Sequence, residues 1–164
     1  MILQYFKKKE NKYKDIADKI YLSILSKSKE LIRSDLFKEK NFNTSFEIIS
    51  IILIFNLKIL KNFNELNYKN INDLLIQNFI NDLDKSLRDQ GISDMSIGKY
   101  VKKYVKKFYF RIKLLDPILI DFHSKDFANY IHSFEIIEKK NTDKIIVNFR
   151  EIFKQIEKNK HNIY

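Results

Sequence analysis

Two glycines and one proline among 164 residues leave this chain few ways to turn. A β-sandwich or barrel needs turn residues every few positions, and dinucleotide-binding and P-loop folds need a glycine-rich loop to cradle phosphate. Both supplies are missing, so a helical chain is expected. Cysteine is absent, which removes disulfides, thiolate chemistry, zinc ribbons and Fe–S ligation. The three histidines, His123, His132 and His161, stand alone in weakly patterned stretches. They suit a solvated surface, and no metal site is expected. Hydrophobic residues make up 45% and charged residues 32%, which fits neither a disordered tail nor a bundle of membrane spans.

Lys and Arg total 31 against 21 Asp and Glu, a net charge of +10. Arginine occurs only at Arg33, Arg88, Arg111 and Arg150. The surplus is lysine, in a chain also heavy in Asn, Ile, Phe and Tyr, all of which share AT-rich codons. Drift in composition and a functional role are equal candidates for the excess.

The chain opens MILQYFKKKENKYK, a short apolar start and then a basic run. No apolar stretch of about 7–15 residues with a cleavage site follows, so this is not a signal peptide. It also lacks the Arg and Ser of a transit peptide. The expectation is an unprocessed protein that stays inside the cell, with residues 1–14 as a flexible basic terminus and 15–160 as one helical domain. Met1–Phe6 beside Lys7, Lys8 and Lys9 either touches an anionic membrane surface or is a frayed, solvated end.

Apolar residues at steps of three and four predict a first amphipathic helix from Asp15 to about Ser34, through Ile16, Ile20, Ile24 and Leu31. Thr44–Glu47, TSFE, reads as a capping box for a second helix reaching Leu60. Its residues Ile48–Leu57 are apolar almost all round, with Glu47, Ser50 and Lys58 as a narrow polar stripe. Such a helix belongs at the centre of the fold, and it reads as too short and too interrupted to span a bilayer. A third helix is expected from an Asn70 cap to Gly91, with Gly91 in the left-handed C-terminal position. After a link, ISDMSI, a fourth runs to about Asp116, where Pro117 stops it. Its inward face is Val101, Tyr104, Val105, Phe108, Ile112 and Leu115. Two weaker helices are placed around Lys125–Lys139 and Asp143–Lys158, although KIIVNF in the second also suits a strand. The fold class is thus all-α, a bundle of five or six helices with no repeat and no interdomain linker.

The densest signal is Phe79–Arg111, which holds both glycines and one helix-turn-helix unit. Asp84 and Arg88 stand four apart in the favourable order for a helical ion pair. Asp82 and Ser86 fall toward the apolar stripe and need partners. Asp94 is placed to cap the fourth helix. Gly98 near its start costs about 0.8–1 kcal/mol against Ala, a cost a helix accepts when something must approach its backbone closely. The alternative is a tight helical hairpin and nothing more. Asp82 and Asp84 point about 200° apart on a helix and share no ligand, so a metal or catalytic cluster is not expected. Lys99, Lys102, Lys103, Lys106, Lys107, Arg111 and Lys113 crowd the fourth helix, with no acid between Asp94 and Asp116. Lys99, Lys103, Lys106 and Phe110 lie in one line. That face is either solvated or meets phosphate backbone, anionic lipid or an acidic protein. Lysine and tyrosine read base edges poorly, so no sequence-specific nucleic acid is expected.

In this segment the chain resembles the ubiquinol–cytochrome c chaperone family, assembly factors of the cytochrome bc1 complex. The residues that carry the resemblance are Asp82, Asp84, Lys85, Ser86, Leu87, Arg88, Gly91, Asp94, Gly98 and Lys99, then Lys102, and Phe108, Tyr109 and Arg111. Tyr21 and its helix, and Phe46-Glu47, are similar to upstream family elements. Ser45, Ile52 and Phe110 replace the family's Arg, His and Gly, so no role is carried over to them. The resemblance spans about Ile16–Asp116, and the rest is similar only in helical character. It implies a non-enzymatic helical chaperone that binds newly made cytochrome b at the inner membrane, in a bacterial, cytoplasmic form. Asp82, Asp84, Ser86, Arg88, Gly91, Asp94, Gly98, Lys99, Lys102, Tyr109 and Arg111 are then the partner-binding candidates. The ribosome and a small helical co-chaperone are further implied partners, and the basic face adds an anionic membrane surface. No cofactor is expected and no His is placed to ligate haem. From another class, a basic helical nucleic-acid or ribosome-binding domain is the alternative. An isoprenoid-type enzyme would need paired Asp clusters, and only one partial cluster is present.

Overall fold

The computed structural model describes residues 2–62, 68–120, 124–133 and 136–159, with side chains from Lys12 onward apart from Ser124. Six α-helices follow in order: α1 (Ile2–Arg33), α2 (Phe42–Lys61), α3 (Tyr68–Asp89), α4 (Asp94–Leu115), α5 (Ser124–His132) and α6 (Thr142–Asn159), with a 3-10 turn at Lys139–Asn141. No strand occurs among the described residues, in line with the all-α expectation. One antiparallel bridge, Phe37 to Ile137, clips the α1–α2 loop to the segment before α6. The Lys38 amide donates to the Ile136 carbonyl at 3.1 Å, and the Asn141 side-chain amide to the Leu36 carbonyl at 3.2 Å.

Helix α2 is the axis of the bundle. It contacts α1, α3, α4 and α6. Ile48, Ile51, Ile52, Leu53 and Phe55 are wholly buried, as an all-round apolar helix must be in water. By length and composition this 20-residue helix does suffice to cross a membrane, contrary to the sequence expectation, but 72% of its apolar stretch is buried inside the protein. Two aromatic clusters grip it. Near its start Phe46 sits 6.0 Å from Phe79 and 4.9 Å from Tyr104, and Phe79 is 4.8 Å from Phe108. Farther along, Phe55 meets Phe149 and Phe153 edge to face at 6.0 and 5.2 Å.

Several boundaries differ from the sequence reading. Helix α1 starts at Ile2, so Lys7–Lys9 lie within it rather than ahead of it; the side chains of Met1–Phe6 fall outside the described set. The expected capping box does not form. The cap is Asn41, whose side chain accepts from the Thr44 amide at 3.0 Å, while the Thr44 hydroxyl donates to the Glu39 carbonyl at 2.7 Å. Helix α3 starts at Tyr68, before Asn70. Helix α5 ends at His132, well short of Lys139. The stretch KIIVNF is helical: Ile145, Ile146, Phe149 and Ile156 are buried in α6 while Val147 is 51% exposed. A strand would have alternated its faces. His132 is half-buried and hydrogen-bonds the Thr142 hydroxyl at 2.8 Å; His123 and His161 lie outside the described residues.

Phe55→Ala removes the ring on which the second cluster closes. We expect a loss of about 3–5 kcal/mol in urea-induced unfolding, because a site walled by rigid helices collapses poorly.

Candidate functional site

The candidate residues sit on the hairpin of α3 and α4 and on the outer surface of α4. Its corner is built by backbone first. Gly91 has a φ of +86°, the left-handed region in which glycine is unstrained. Its amide donates to the Arg88 carbonyl at 2.8 Å and the Ile92 amide to the Leu87 carbonyl at 3.2 Å. This pairing is a Schellman ending, with Ile92 folding back toward buried Leu87. The expected six-residue link is shorter, since α4 already begins at Asp94. Ser93 occupies the cap position without a side-chain bond, so Asp94 does not cap. It pairs with Arg88 instead, and Arg88 also donates from Nε to Asp84 at 2.6 Å. These two bonds hold the Arg88 guanidinium firmly protonated. One arginine thus ties the end of α3 to the start of α4.

Asp82 is half-buried and accepts from the Tyr21 hydroxyl of α1 at 3.1 Å. Burial first, and then the neighbouring carboxylate, pushes the Tyr21 phenol far above its ordinary range. One turn earlier the Asn78 side chain donates to Asp18 at 2.8 Å. The two pairs show α1 and α3 running parallel. They floor an open groove of about 440 Å³ that also takes in Leu22, Asn81 and Lys85.

The strongest polar feature lies between α2 and α4. Glu47, near the start of the apolar helix, is 2% exposed. Arg111 clamps it with Nε and Nη2, both at 3.1 Å, and Lys107 reaches it at 2.6 Å. Lys107 also lies 5.0 Å over the Phe46 ring. Along the same seam the Tyr104 hydroxyl donates to Asn43 at 3.3 Å and Lys58 pairs with Asp116 at 2.7 Å. So Lys107 and Arg111, counted in the sequence among the basic residues that crowd α4, do not belong to its outward face. They are drawn inward, because a buried carboxylate without cations is far costlier than two cations spent on it. In the sequence Glu47 read as half of a capping box and as part of a matched family element, not as the centre of a buried ion cluster. Its signal was a lone acid at the head of a long apolar run, which must be paired if buried.

The candidates therefore fall into three groups. Asp82, Arg88, Asp94 and Arg111 bind the helices to one another, and Asp84 steadies Arg88 within α3. Gly91 shapes the corner, with Ser86 half-buried behind it. Gly98, Lys99, Lys102 and Tyr109 face solvent, Tyr109 by 51%. At Gly98 an added Cβ would meet nothing within 4 Å, so no neighbour in this chain requires the glycine.

Two outcomes test this account. Glu47→Ala should cost about 3–5 kcal/mol in thermal unfolding, and Glu47→Leu with Arg111→Met should recover most of it, since the paired swap leaves no buried lone charge. Gly91→Ala and Gly98→Ala should move stability in opposite directions. The first loses about 1 kcal/mol to left-handed strain and the second gains about as much by helix propensity.

A family model described as ubiquinol-cytochrome C chaperone matches residues 35–145. The match begins after Tyr21 and runs through α5, where the sequence resemblance had stopped at Asp116. Among solved structures, the crystal structure of the Cbp3 homolog from Brucella abortus superposes with a TM-score of 0.71 at 20% identity, covering 96% of this chain and 88% of that one. At that identity the likeness establishes the fold. No curated protein matches the chain. With two-thirds of its length matched, including the whole α2–α4 unit that carries the Glu47 clamp and the Gly91 corner, the chain belongs to the ubiquinol–cytochrome c chaperone family.

Proposed function

We propose that this protein is a non-enzymatic chaperone that holds newly made cytochrome b while the bc1 complex assembles, working at the inner membrane without crossing it. The observation that carries the proposal is the family match over residues 35–145. An exposed line on α4 supports a site for the client there. On α4, Gly98, Lys102, Val105 and Tyr109 follow at steps of four, three and four, so they form one line. Gly98 offers bare backbone at its start and Tyr109 a half-exposed ring near its end. A client helix of a membrane protein can pack closely against glycine and rest on the aromatic ring. Lys99 flanks this line, and Ser86 sits behind the Gly91 corner. Asp82, Asp84, Arg88, Gly91, Asp94 and Arg111 act by fixing the angle and rotation at which α4 presents it.

A photoreactive side chain at Tyr109, followed by mass spectrometry of captured partners in cells, tests the client. Capture of cytochrome b is the expected result. Gly98→Leu should leave the fold intact, since space is open there, yet lower the haem b absorbance of membranes severalfold. Capture that never includes cytochrome b, or normal haem b in that variant, counts decisively against the proposal.

A further inference from the structure

A second line on α4, one helical step round from the client line, points to a different partner. We propose that Lys99, Lys103, Lys106 and Phe110 form a docking surface for an anionic lipid bilayer. It rests on the membrane-proximal setting proposed above but not on the client's identity.

All four residues are exposed, Phe110 by 54%. Among the described residues, the acids on α4, at its end and in its seam with α2 are committed elsewhere. Asp94 pairs with Arg88, Asp116 with Lys58, and Glu47 with Lys107 and Arg111. The outer face of α4 therefore carries a field of one sign, suited to anionic headgroups. Apolar chains stand among and beyond the lysines: Met95 is fully exposed, Leu114 by 38% and Ile120 by 69%. The 22-residue helix is about 33 Å long and can lie flat, its apolar tips entering the headgroup boundary while the lysines snorkel.

The composition separates this partner from the other two. A nucleic acid would use the lysines and stack a base on Phe110, but Met95, Leu114 and Ile120 offer no flat face and suit the acyl boundary of a bilayer instead. A protein interface is depleted in lysine and favours arginine, whereas here the arginines of the hairpin, Arg88 and Arg111, are spent on internal acids.

The chain has no tryptophan, so Phe110→Trp supplies a single reporter. The full-length protein is mixed with phosphatidylcholine vesicles that contain roughly one-third phosphatidylglycerol or none. The expected result is a blue-shifted emission with the anionic vesicles alone, fading at high salt. Val147→Trp, exposed on α6, should not shift. Lys99→Glu, Lys103→Glu and Lys106→Glu together should lower vesicle partitioning at least about 100-fold with an unchanged far-ultraviolet circular dichroism spectrum. No shift of Phe110→Trp at low salt overturns the proposal, as does an equal shift of Val147→Trp, or a shift with single-stranded RNA but not with vesicles. Because no client is present, such a failure leaves capture of cytochrome b at Tyr109 as a separate result.

Discussion

Glu47 is the residue on which the arrangement of this bundle depends. It lies in the most apolar helix of the chain, where a solitary carboxylate would be expelled or protonated. Lys107 and Arg111 make it tolerable, and both come from α4. Meeting Glu47 therefore sets the rotation of α4 about its own axis. Once Arg111 and Lys107 face inward, helical spacing decides the rest: Phe108 must enter the core, and Lys99, Lys103, Lys106 and Phe110 must face out. The weaker bonds on either side, Tyr104 to Asn43 and Lys58 to Asp116, hold the same parallel register along the seam.

A family pattern of charged residues invites a catalytic or ligand-binding interpretation. Here most of the charged positions have partners within the chain. Asp82 meets Tyr21, Asp84 and Asp94 share Arg88, and Arg111 meets Glu47. Apart from the Asp84–Arg88 pair, which lies within α3 and steadies Arg88, each bond joins two different helices. Their common effect is to hold α4 rigidly with one long side open. That suits a protein whose work is to present a surface, since a partner meeting a pre-ordered helix need not supply the cost of ordering it. At Gly98 no neighbour within 4 Å in this chain requires a glycine, which is a reason to look there for an external contact.

Much of this was legible in the residues. The scarcity of glycine and proline implied helices, the apolar run after Phe46 implied a central helix, and Gly91 before a polar break implied a left-handed ending. The Asp84–Arg88 pair and a partner for Asp82 also followed from spacing. These features are local, or depend only on which residues must leave water. The capping box failed for a reason that local pattern cannot reveal. Thr44 and Glu47 satisfy the motif, but each found a better partner in space, the Glu39 carbonyl and the cations of α4.

The amino-acid sequence by itself thus determined the helices, the burial of α2 and the family, because periodicity and hydrophobicity act along the chain. Only the tertiary structure decided which charges are consumed and which stay outside. Arg111 and Lys99 look alike in one dimension, and no spacing rule separates a cation held by Glu47 from one left facing solvent. That difference arises when α2 and α4 come together and the low dielectric between them makes pairing obligatory.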